Sequence, residues 1–426
     1  MYEAINKAVG LLKRIVPEPV VALLRRPYHA SLALLMTAVY GFPARRLTVI
    51  GITGTKGKST VAEMLFALFR AAGYHTALIS TIRFAIDDES EPNRYKMTLQ
   101  GRGFSQAFMH RALAAGCTHL IIEVTSESVL QYRHWFLGLN ALVVTNIQRE
   151  HIDRHGSFEN YVAAKRAIID TLARSKKSPR ILVCNEDVPE TKAFLSAPVS
   201  TCVGFSTAEL TDLTSDERQV SFRYGNTPII VPLPGRFNAL NALAALKLGE
   251  DFGIPHDTMA TALAHLAPVR GRVEHIDEGQ DFIAVVDYAH TTDSLQALYD
   301  AFPHQRKICV LGNTGGGRDT WKRPEMGRIA DESCEEVILT NEDPYDEDHK
   351  AIVAQMAKGM RRPPTIIMDR REAIRHALSR ARAGNAVLIS GKGTDPYIMG
   401  ARGKKTPWSD AAVVREELKK LLANRA

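Results

Sequence analysis

Residues Gly51 to Thr60 read GITGTKGKST, and this stretch decides what kind of fold the chain adopts. Before it stands a β-branched run, LTVIGIT (47–53), and after it VAEMLFALFRAAG (61–73), apolar at helical spacing. Strand, glycine-rich loop, Lys-Ser and helix in that order build a phosphate cradle. Gly54 and Gly57 allow the tight backbone that turns N–H groups, those of Thr55 and Lys56 among them, toward a phosphate. Lys58 reaches the terminal phosphates, Ser59 offers a hydroxyl to a magnesium ion, and Thr60 continues into the helix whose N-terminus favours anions. A strict P-loop has glycine five places before the Gly57-Lys58 pair, where this chain has Ile52. A plain glycine-rich turn between strand and helix is the alternative.

Outward from this loop, short β-branched runs alternate with helical stretches, the pattern of a parallel sheet covered on both faces. The first series of candidate strands is 47–53, 75–81, 119–125, 141–147 and 180–185. Residues 199–232 read as short strands with turns at Ser215-Asp216 and Gly225-Asn226, an antiparallel extension ahead of a helix. A second alternating series follows at 282–288, 307–313, 336–341, 365–369 and 386–391. The break between the two falls near APVRGRVE (267–274), where Pro, Gly and charges interrupt the helical pattern.

The 426 residues suffice for two to four domains at about 100–200 residues each. At 45% hydrophobic and 24% charged, the chain is neither disordered nor fibrous, and five scattered cysteines without metal-ligand spacing exclude a disulfide-stapled scaffold and fit a reducing cytoplasm. The net charge of +7 is uneven, since residues 1–50 alone contribute +5. A nucleic-acid binder carries its basic face on folded domains, so no nucleic-acid partner is expected. The same N-terminal arm holds the most apolar run, ASLALLMTAVYGF (30–42), too short at 13 residues to span a bilayer. It reads either as a helix packed on the domain behind it or as a basic, apolar hairpin resting on an anionic membrane surface.

TGTKGKS (53–59) resembles the ATP-binding loop of the Mur ligase superfamily, ATP-dependent amide-forming enzymes that include the peptidoglycan stem-peptide ligases, folylpolyglutamate synthetase and cyanophycin synthetase. EVTSESVLQYR (123–133), TNIQREHIDRHGSFENYVAAK (145–165), LPGRFNALNALAA (233–245), GRVE (271–274), VDYAHT (286–291) and LGNTGGGRDTWKRPEMGRIA (311–330) match family segments in order. HGSFENY, DYAHT, RDxxKRP and GKG together are closest to the branch that adds the third amino acid to UDP-N-acetylmuramoyl-dipeptide.

The resemblance implies an α/β fold: a P-loop ATPase central domain with a parallel sheet at 47–270, a Rossmann-like C-terminal α/β domain at 271–426 that binds the amino acid, and a short arm at 1–46. It implies ATP and Mg²⁺ as cofactors, activation of an acceptor carboxylate as an acyl phosphate, and attack by an amine. Lys58, Asn146, His151, Lys165 and Arg272 take catalytic roles, with Lys165 carbamylated. Ser59, Glu123, His151 and the Lys165 carbamate are the metal ligands. Asn238, supported by Asn241, meets adenine, and Arg272, Asp287 and His290 come onto the nucleotide when the domains close. The partners are an amino acid and a carboxylate-bearing glycopeptide or peptide, and the location is cytoplasmic.

Two departures qualify the substrate. Conventional muramyl ligases place roughly a hundred residues before the P-loop to hold the uridine nucleotide, whereas here the strand begins at Leu47. The acceptor is therefore expected to be shortened, differently held or lipid-linked, or to be a non-muramyl, folylpolyglutamate- or cyanophycin-like chain. A non-catalytic ATP-binding module docked at a membrane is the reading from another class. At the amino-acid selector, where ligases for meso-diaminopimelate have Asp-Asn-Pro-Arg, this chain has Glu342-Asp343-Pro344-Tyr345. Tyr345 cannot grip a distal carboxylate, and with Asp346, Glu347 and Asp348 the loop is acidic, favouring a basic or neutral amino acid unless the run is merely a solvated loop. Gly391 and Asp395 stand where the family binds the substrate ammonium, and Arg318 is expected on the α-carboxylate. Glu127 replaces a family histidine, and TLQGR (98–102) lies where muramyl ligases touch substrate.

Overall fold

The computed structural model describes residues 18–95, 97–101, 103–150, 155–317 and 319–424, with side chains described from residue 27 onward. The chain divides into two compact units, one comprising residues up to Thr207 with Leu243–Met259, the other Ala208–Ala242 with Ala260–Ala426.

The first unit opens with helix α1 (Glu18–Val39). Then come β1 (Thr48–Thr53), α2 (Lys58–Ala71), β2 (Thr76–Ile79), β3 (Arg83–Ile86), β4 (Glu89–Pro92), α3 (Phe104–Ala114), β5 (His119–Glu123), α4 (Ser126–Leu130), β6 (Ala141–Val144), α5 (Phe158–Ala173), β7 (Ile181–Asn185) and β8 (Thr201–Phe205). These strands form one sheet in the order β4-β3-β2-β5-β1-β6-β7-β8. From β2 to β8 the pairings are parallel, and β3 and β4 add an antiparallel edge. β1 lies between β5 and β6, so connections leave it in both directions, and the crevice beyond its C-terminal end is where such sheets bind ligands. The β-branched runs become strands because both faces are covered: Val49, Ile50 and Ile52 are wholly buried, as are Leu120, Ile121 and Ile122 beside them. Each strand of the series is shorter than the apolar run that predicted it, since the run carries on into loop residues such as Thr145 and Asn146.

Of the two readings of the arm the helix holds, and its described part is one helix, Glu18–Val39, with Pro27 inside it. Met36 and Thr37 bury against the unit, and a Cβ on Gly103 would lie 2.3 Å from Met36 Cε, while Leu34, Leu35 and Val39 stay 50–58% exposed. No described helix is long and apolar enough to cross a membrane. Residues 201–205, expected in the antiparallel extension, pair parallel with β7 instead. Their alternating pattern is too short to reveal direction, and the turn that fixes direction comes only after them.

In the second unit β9 (Thr211–Ser215), β10 (Val220–Tyr224) and β11 (Thr227–Val231) form the antiparallel sheet. A six-stranded sheet follows in the order β12-β13-β17-β14-β15-β16, built from β12 (Glu274–His275), β13 (Ile283–Val286), β14 (Lys307–Leu311), β15 (Glu336–Leu339), β16 (Thr365–Ile366) and β17 (Ala386–Ile389). Only β12 runs antiparallel. Alternate residues feed two cores, Cys309 and Leu311 on one face and Ile308 and Val310 on the other. The helices Arg370–Arg380 and Asp410–Ala423 cover the second face and are joined by a buried Arg370–Asp410 pair at 2.7 Å.

One change concerns the cysteines: Cys309 and Cys334, 25 residues apart, form a disulfide, brought together by the strand and the end of the helix Lys322–Ser333, which no spacing rule foretells.

Candidate active site

The loop after β1 is shaped by what presses on it. Gly54 has φ 145° and Gly57, which caps α2, has φ 81°, conformations that a side chain resists. A Cβ on Gly54 would fall 1.9 Å from Thr145 Oγ1. Thr145 donates to the Lys56 carbonyl at 2.6 Å, and Asn146 brackets the same residue, accepting from Lys56 N at 2.9 Å and donating to Lys56 O at 3.2 Å. Asn146, expected in catalysis, thus braces the loop. Lys56 pairs with Glu150 at 3.0 Å, and Thr55 shares a hydrogen bond with the buried Tyr161 hydroxyl at 2.8 Å. Lys58 folds back, donating to Gly54 O at 2.9 Å and Thr55 O at 2.8 Å. Ser59 and Thr60 are buried in the first turn of α2.

Lys165 on α5 is only 1% exposed. Its amine donates to Thr53 Oγ1 at 3.1 Å and Gly54 O at 2.8 Å, so it touches the loop directly. Burial, reinforced by Lys58, holds its pKa well below the ordinary lysine value, with Glu150 opposing. Glu123, at the end of β5, is wholly buried, and its two oxygens accept from Thr81 N at 2.7 Å and Thr81 Oγ1 at 3.0 Å. Thr81 in turn meets Thr98 of the TLQGR stretch at 2.7 Å. His155 reaches Ser126 Oγ at 3.1 Å and packs on Tyr161. His151, Arg102 and Arg318 lie outside the described residues. Among the described residues no three His, Cys, Asp or Glu side chains converge. Ser59 and the Thr81-oriented Glu123 carboxylate are nevertheless hard oxygen donors of the kind magnesium takes.

Glu150, Thr81, Tyr161 and His155 escaped the sequence reading. Tyr161 alone had a signal, four residues before Lys165 on one helix face.

In the second unit, Asn238 donates to Pro234 O at 2.7 Å and accepts from Asn241 at 3.2 Å. Arg272 lies 4.5 Å from the Tyr288 ring centroid. Asp287 accepts from Val273 N at 2.7 Å and Ala289 N at 2.6 Å, and the His290 ring packs on Tyr288. The GRVE and GKG turns interlock, for a Cβ on Gly271 would sit 2.6 Å from Thr394 N.

Two of the selector loop's acidic residues are paired with cations, while Asp346 and Asp348 stay exposed. Asp343 is buried and accepts from Lys392 Nζ and Met399 N, both at 2.8 Å, while Asp395 shares that lysine at 3.3 Å. Glu347 pairs with the fully buried Arg323 at 2.5 Å. Tyr345 is half-buried with φ 52°, its N–H held by Met399 O. Glu342 differs: it is 3% exposed, Thr314 donates to Oε1 at 2.8 Å, and Oε2, beside Gly391, has no hydrogen-bond partner.

Family comparisons agree with this geometry. Residues 52–249 match the Mur ligase middle domain and residues 271–393 the Mur ligase, glutamate ligase domain. A UDP-N-acetylmuramoyl-L-alanyl-D-glutamate–2,6-diaminopimelate ligase of Syntrophomonas wolfei is 34% identical over 385 residues, covering 87% of this chain and 78% of that protein. A UDP-N-acetylmuramyl-tripeptide synthetase of a Roseiflexus species is also 34% identical, over 95% of this chain and 84% of its own. A solved diaminopimelate ligase structure superposes with a TM-score of 0.60 at 28% identity, covering 88% of this chain and 79% of that one. Folylpolyglutamate synthase of Mycobacterium tuberculosis bound to ADP shares the fold, with a TM-score of 0.69 at 18% identity over 96% and 98% of the two chains. With its phosphate loop, its buried lysine and both family domains in order, the chain belongs to the Mur ligase family of ATP-dependent ligases, and its named relatives are of the kind that extends the muramyl peptide.

Proposed function

We propose that this ligase joins an amino acid bearing an ammonium side chain, or a neutral one, to the terminal carboxylate of a cell-wall peptide precursor, using ATP and Mg²⁺ on the cytoplasmic side of the membrane. The buried amine of Lys165 against the phosphate loop carries this reading. Only an unprotonated amine adds carbon dioxide, and burial keeps this one neutral. The resulting carbamate would turn a lysine at the loop into an oxygen ligand.

In this scheme 47–270 serves the nucleotide and 271–426 the amino acid. The loop N–H groups hold the phosphates, and Lys58 exchanges its two carbonyl partners for phosphate oxygens. Ser59, Glu123, His151 and the Lys165 carbamate would hold magnesium, which supplies positive charge where two anions must meet. The acceptor carboxylate attacks the γ-phosphorus and ADP leaves. The amine then attacks the acyl carbon, phosphate departs, and the amine's proton passes to solvent. Asn238, Arg272, Asp287 and His290 contact the nucleotide, and Arg318 the α-carboxylate.

Selection rests on Glu342. Lys392 neutralises Asp343, Arg323 neutralises Glu347, and Asp346 and Asp348 are exposed to solvent, whereas Glu342 is buried with its Oε2 lacking a hydrogen-bond partner, which makes it the acceptor for an ammonium group. Tyr345 offers no cation for a second carboxylate, so diaminopimelate is disfavoured. Phosphate release is the test, with Mg-ATP, the common amino acids, ornithine and diaminopimelate, against UDP-muramoyl-dipeptide and lipid-linked acceptors. Release that depends on lysine or ornithine is expected. Release without amino-acid dependence defeats the ligase assignment, and strong turnover of diaminopimelate defeats the role given to Tyr345.

A further inference from the structure

Among the described residues, large hydrophobic side chains that stay exposed are scattered except on α1, where Tyr28, Leu34, Leu35 and Val39 stand on one short helix. The helical repeat explains their arrangement. Tyr28, Ser31, Leu35 and Ala38, spaced by three and four residues, form one exposed line, and Leu34 and Val39 flank it. Met36 and Thr37 lie on the other side, 8% and 2% exposed, and just past the helix the Tyr40 ring packs on His110 of α3 with centroids 5.7 Å apart. One side of α1 thus holds it to the unit, and the opposite side is an apolar stripe broken only by the Ser31 hydroxyl. Single exposed apolar side chains are ordinary, whereas a contiguous stripe marks an interaction surface.

Charge decides what the stripe meets. From Pro19 to Ala62 the chain has no Asp or Glu, and Arg25, Arg26, Arg45 and Arg46 all fall inside that interval. Arg45 and Arg46 are exposed in the turn Pro43–Arg46, close behind the end of the helix, and the Arg45 guanidinium lies 4.2 Å from the Phe42 ring centroid. A second copy of the chain seated on the stripe would bring one acid-free, arginine-bearing arm against another. A bilayer with anionic headgroups supplies the missing negative charge and accepts the apolar side chains together. Tyr28, with an apolar ring and a polar tip, is the residue type that settles at headgroup level. No described helix is long and apolar enough to cross a membrane, so α1 would lie along the surface.

We propose that the outer face of α1 docks the protein on an anionic lipid bilayer, with Leu34, Leu35, Ala38 and Val39 entering the boundary between headgroups and acyl chains and Arg45 and Arg46 meeting lipid phosphates. Docking needs neither nucleotide nor turnover, so it stands or falls independently of the ligase reading.

The full-length protein is cosedimented with vesicles of phosphatidylcholine and with vesicles of phosphatidylcholine and phosphatidylglycerol in equal parts. Affinity for the mixed vesicles should exceed that for phosphatidylcholine at least about tenfold, and added salt should reduce the difference, since the Debye length shrinks from about 10 Å at 0.1 M to about 3 Å at 1 M. Leu35→Gln with Val39→Gln adds no charge and keeps good helix formers, and should weaken binding to the mixed vesicles at least about tenfold. Arg45→Gln with Arg46→Gln should cut the preference for anionic lipid at least about fivefold. Thermal unfolding of the parent and both variants should coincide, because these side chains are exposed in the free protein. Equal affinity for the two kinds of vesicle, or a stripe variant that binds like its parent, overturns the proposal. Light scattering that finds the parent dimeric and Leu35→Gln with Val39→Gln monomeric also overturns it, by giving the stripe to a second copy. A lowered unfolding temperature in that variant does the same, by showing that another part of the chain covers the stripe.

Discussion

Substituting alanine at Gly54 separates two causes that the structure superimposes. The first is conformational. At φ 145° a residue with a side chain is strained by about 1–3 kcal/mol. The second is steric, because the new Cβ would lie 1.9 Å from Thr145 Oγ1, 3.1 Å from Thr145 Cβ and 3.2 Å from Asn146 N. Turning the Thr145 hydroxyl away relieves the clash but gives up its bond to Lys56 O, another loss of about 1 kcal/mol. Gly54→Ala should therefore lose about 2–4 kcal/mol out of a total stability of about 5–15. ADP affinity should fall at least about tenfold, since the Gly54 carbonyl also anchors Lys58 and Lys165. Thr145→Ala alone should cost about 1 kcal/mol. The double variant should be less destabilised than the sum of the singles by about 1 kcal/mol or more, because the residue that clashes is gone while the strain at φ persists. Urea denaturation of the four proteins measures the cycle, with a fluorescent ADP analogue as the second readout. Strict additivity would refute the claim that Thr145 keeps position 54 a glycine.

Other consequences can be checked as directly. Lys165→Met exchanges two hydrogen bonds for relief from burying an amine, so stability should change by only about 1 kcal/mol while amino-acid-dependent phosphate release falls by about 10³ or more; formate or acetate should partly restore Lys165→Ala, and an active, unrescued methionine variant would remove the lysine from the chemistry. Glu342→Gln keeps the shape but not the charge, and should raise KM for the amino acid about tenfold to a hundredfold with thermal unfolding unchanged; an unaltered KM would end its role as ammonium acceptor. Glu417 is held at about 2, against an ordinary 4.5, by hydrogen bonds from Arg375, Lys420 and Arg371. Its contribution is complete above about pH 4.5 and disappears as the pH falls through 2, so Glu417→Gln should be less stable at pH 7 and converge with the parent protein in acid.

Much of this was legible because it is local. A β-branched run that becomes a glycine loop and then an apolar helix announces β1, Gly54, Gly57 and Lys58 within two dozen residues, and burial on both faces makes parallel strands conspicuous. What stayed hidden is what depends on distant partners. Two of the selector's carboxylates, Asp343 and Glu347, looked free because Lys392, some fifty residues on, and Arg323, before them, do not show themselves as their counterions. Glu123 was readable as a carboxylate at a strand end, but Thr81, which orients both of its oxygens, belongs to another strand's exit. Cys309 with Cys334 and the parallel direction of β8 are likewise set by how strands and helices stack, which single-residue periods do not encode.

The outermost strand β4 has a consequence for how molecules of this chain meet. Its residues, Glu89, Ser90, Glu91 and Pro92, are all exposed at a sheet margin that could otherwise recruit a strand from a neighbour. Pro92 has no N–H to give such a visitor, and two carboxylates within four residues would repel a like margin. Growth of the sheet across molecules is thereby blocked on this side, which keeps a large, mostly parallel sheet from becoming a seed for aggregation at the concentrations a biosynthetic enzyme reaches.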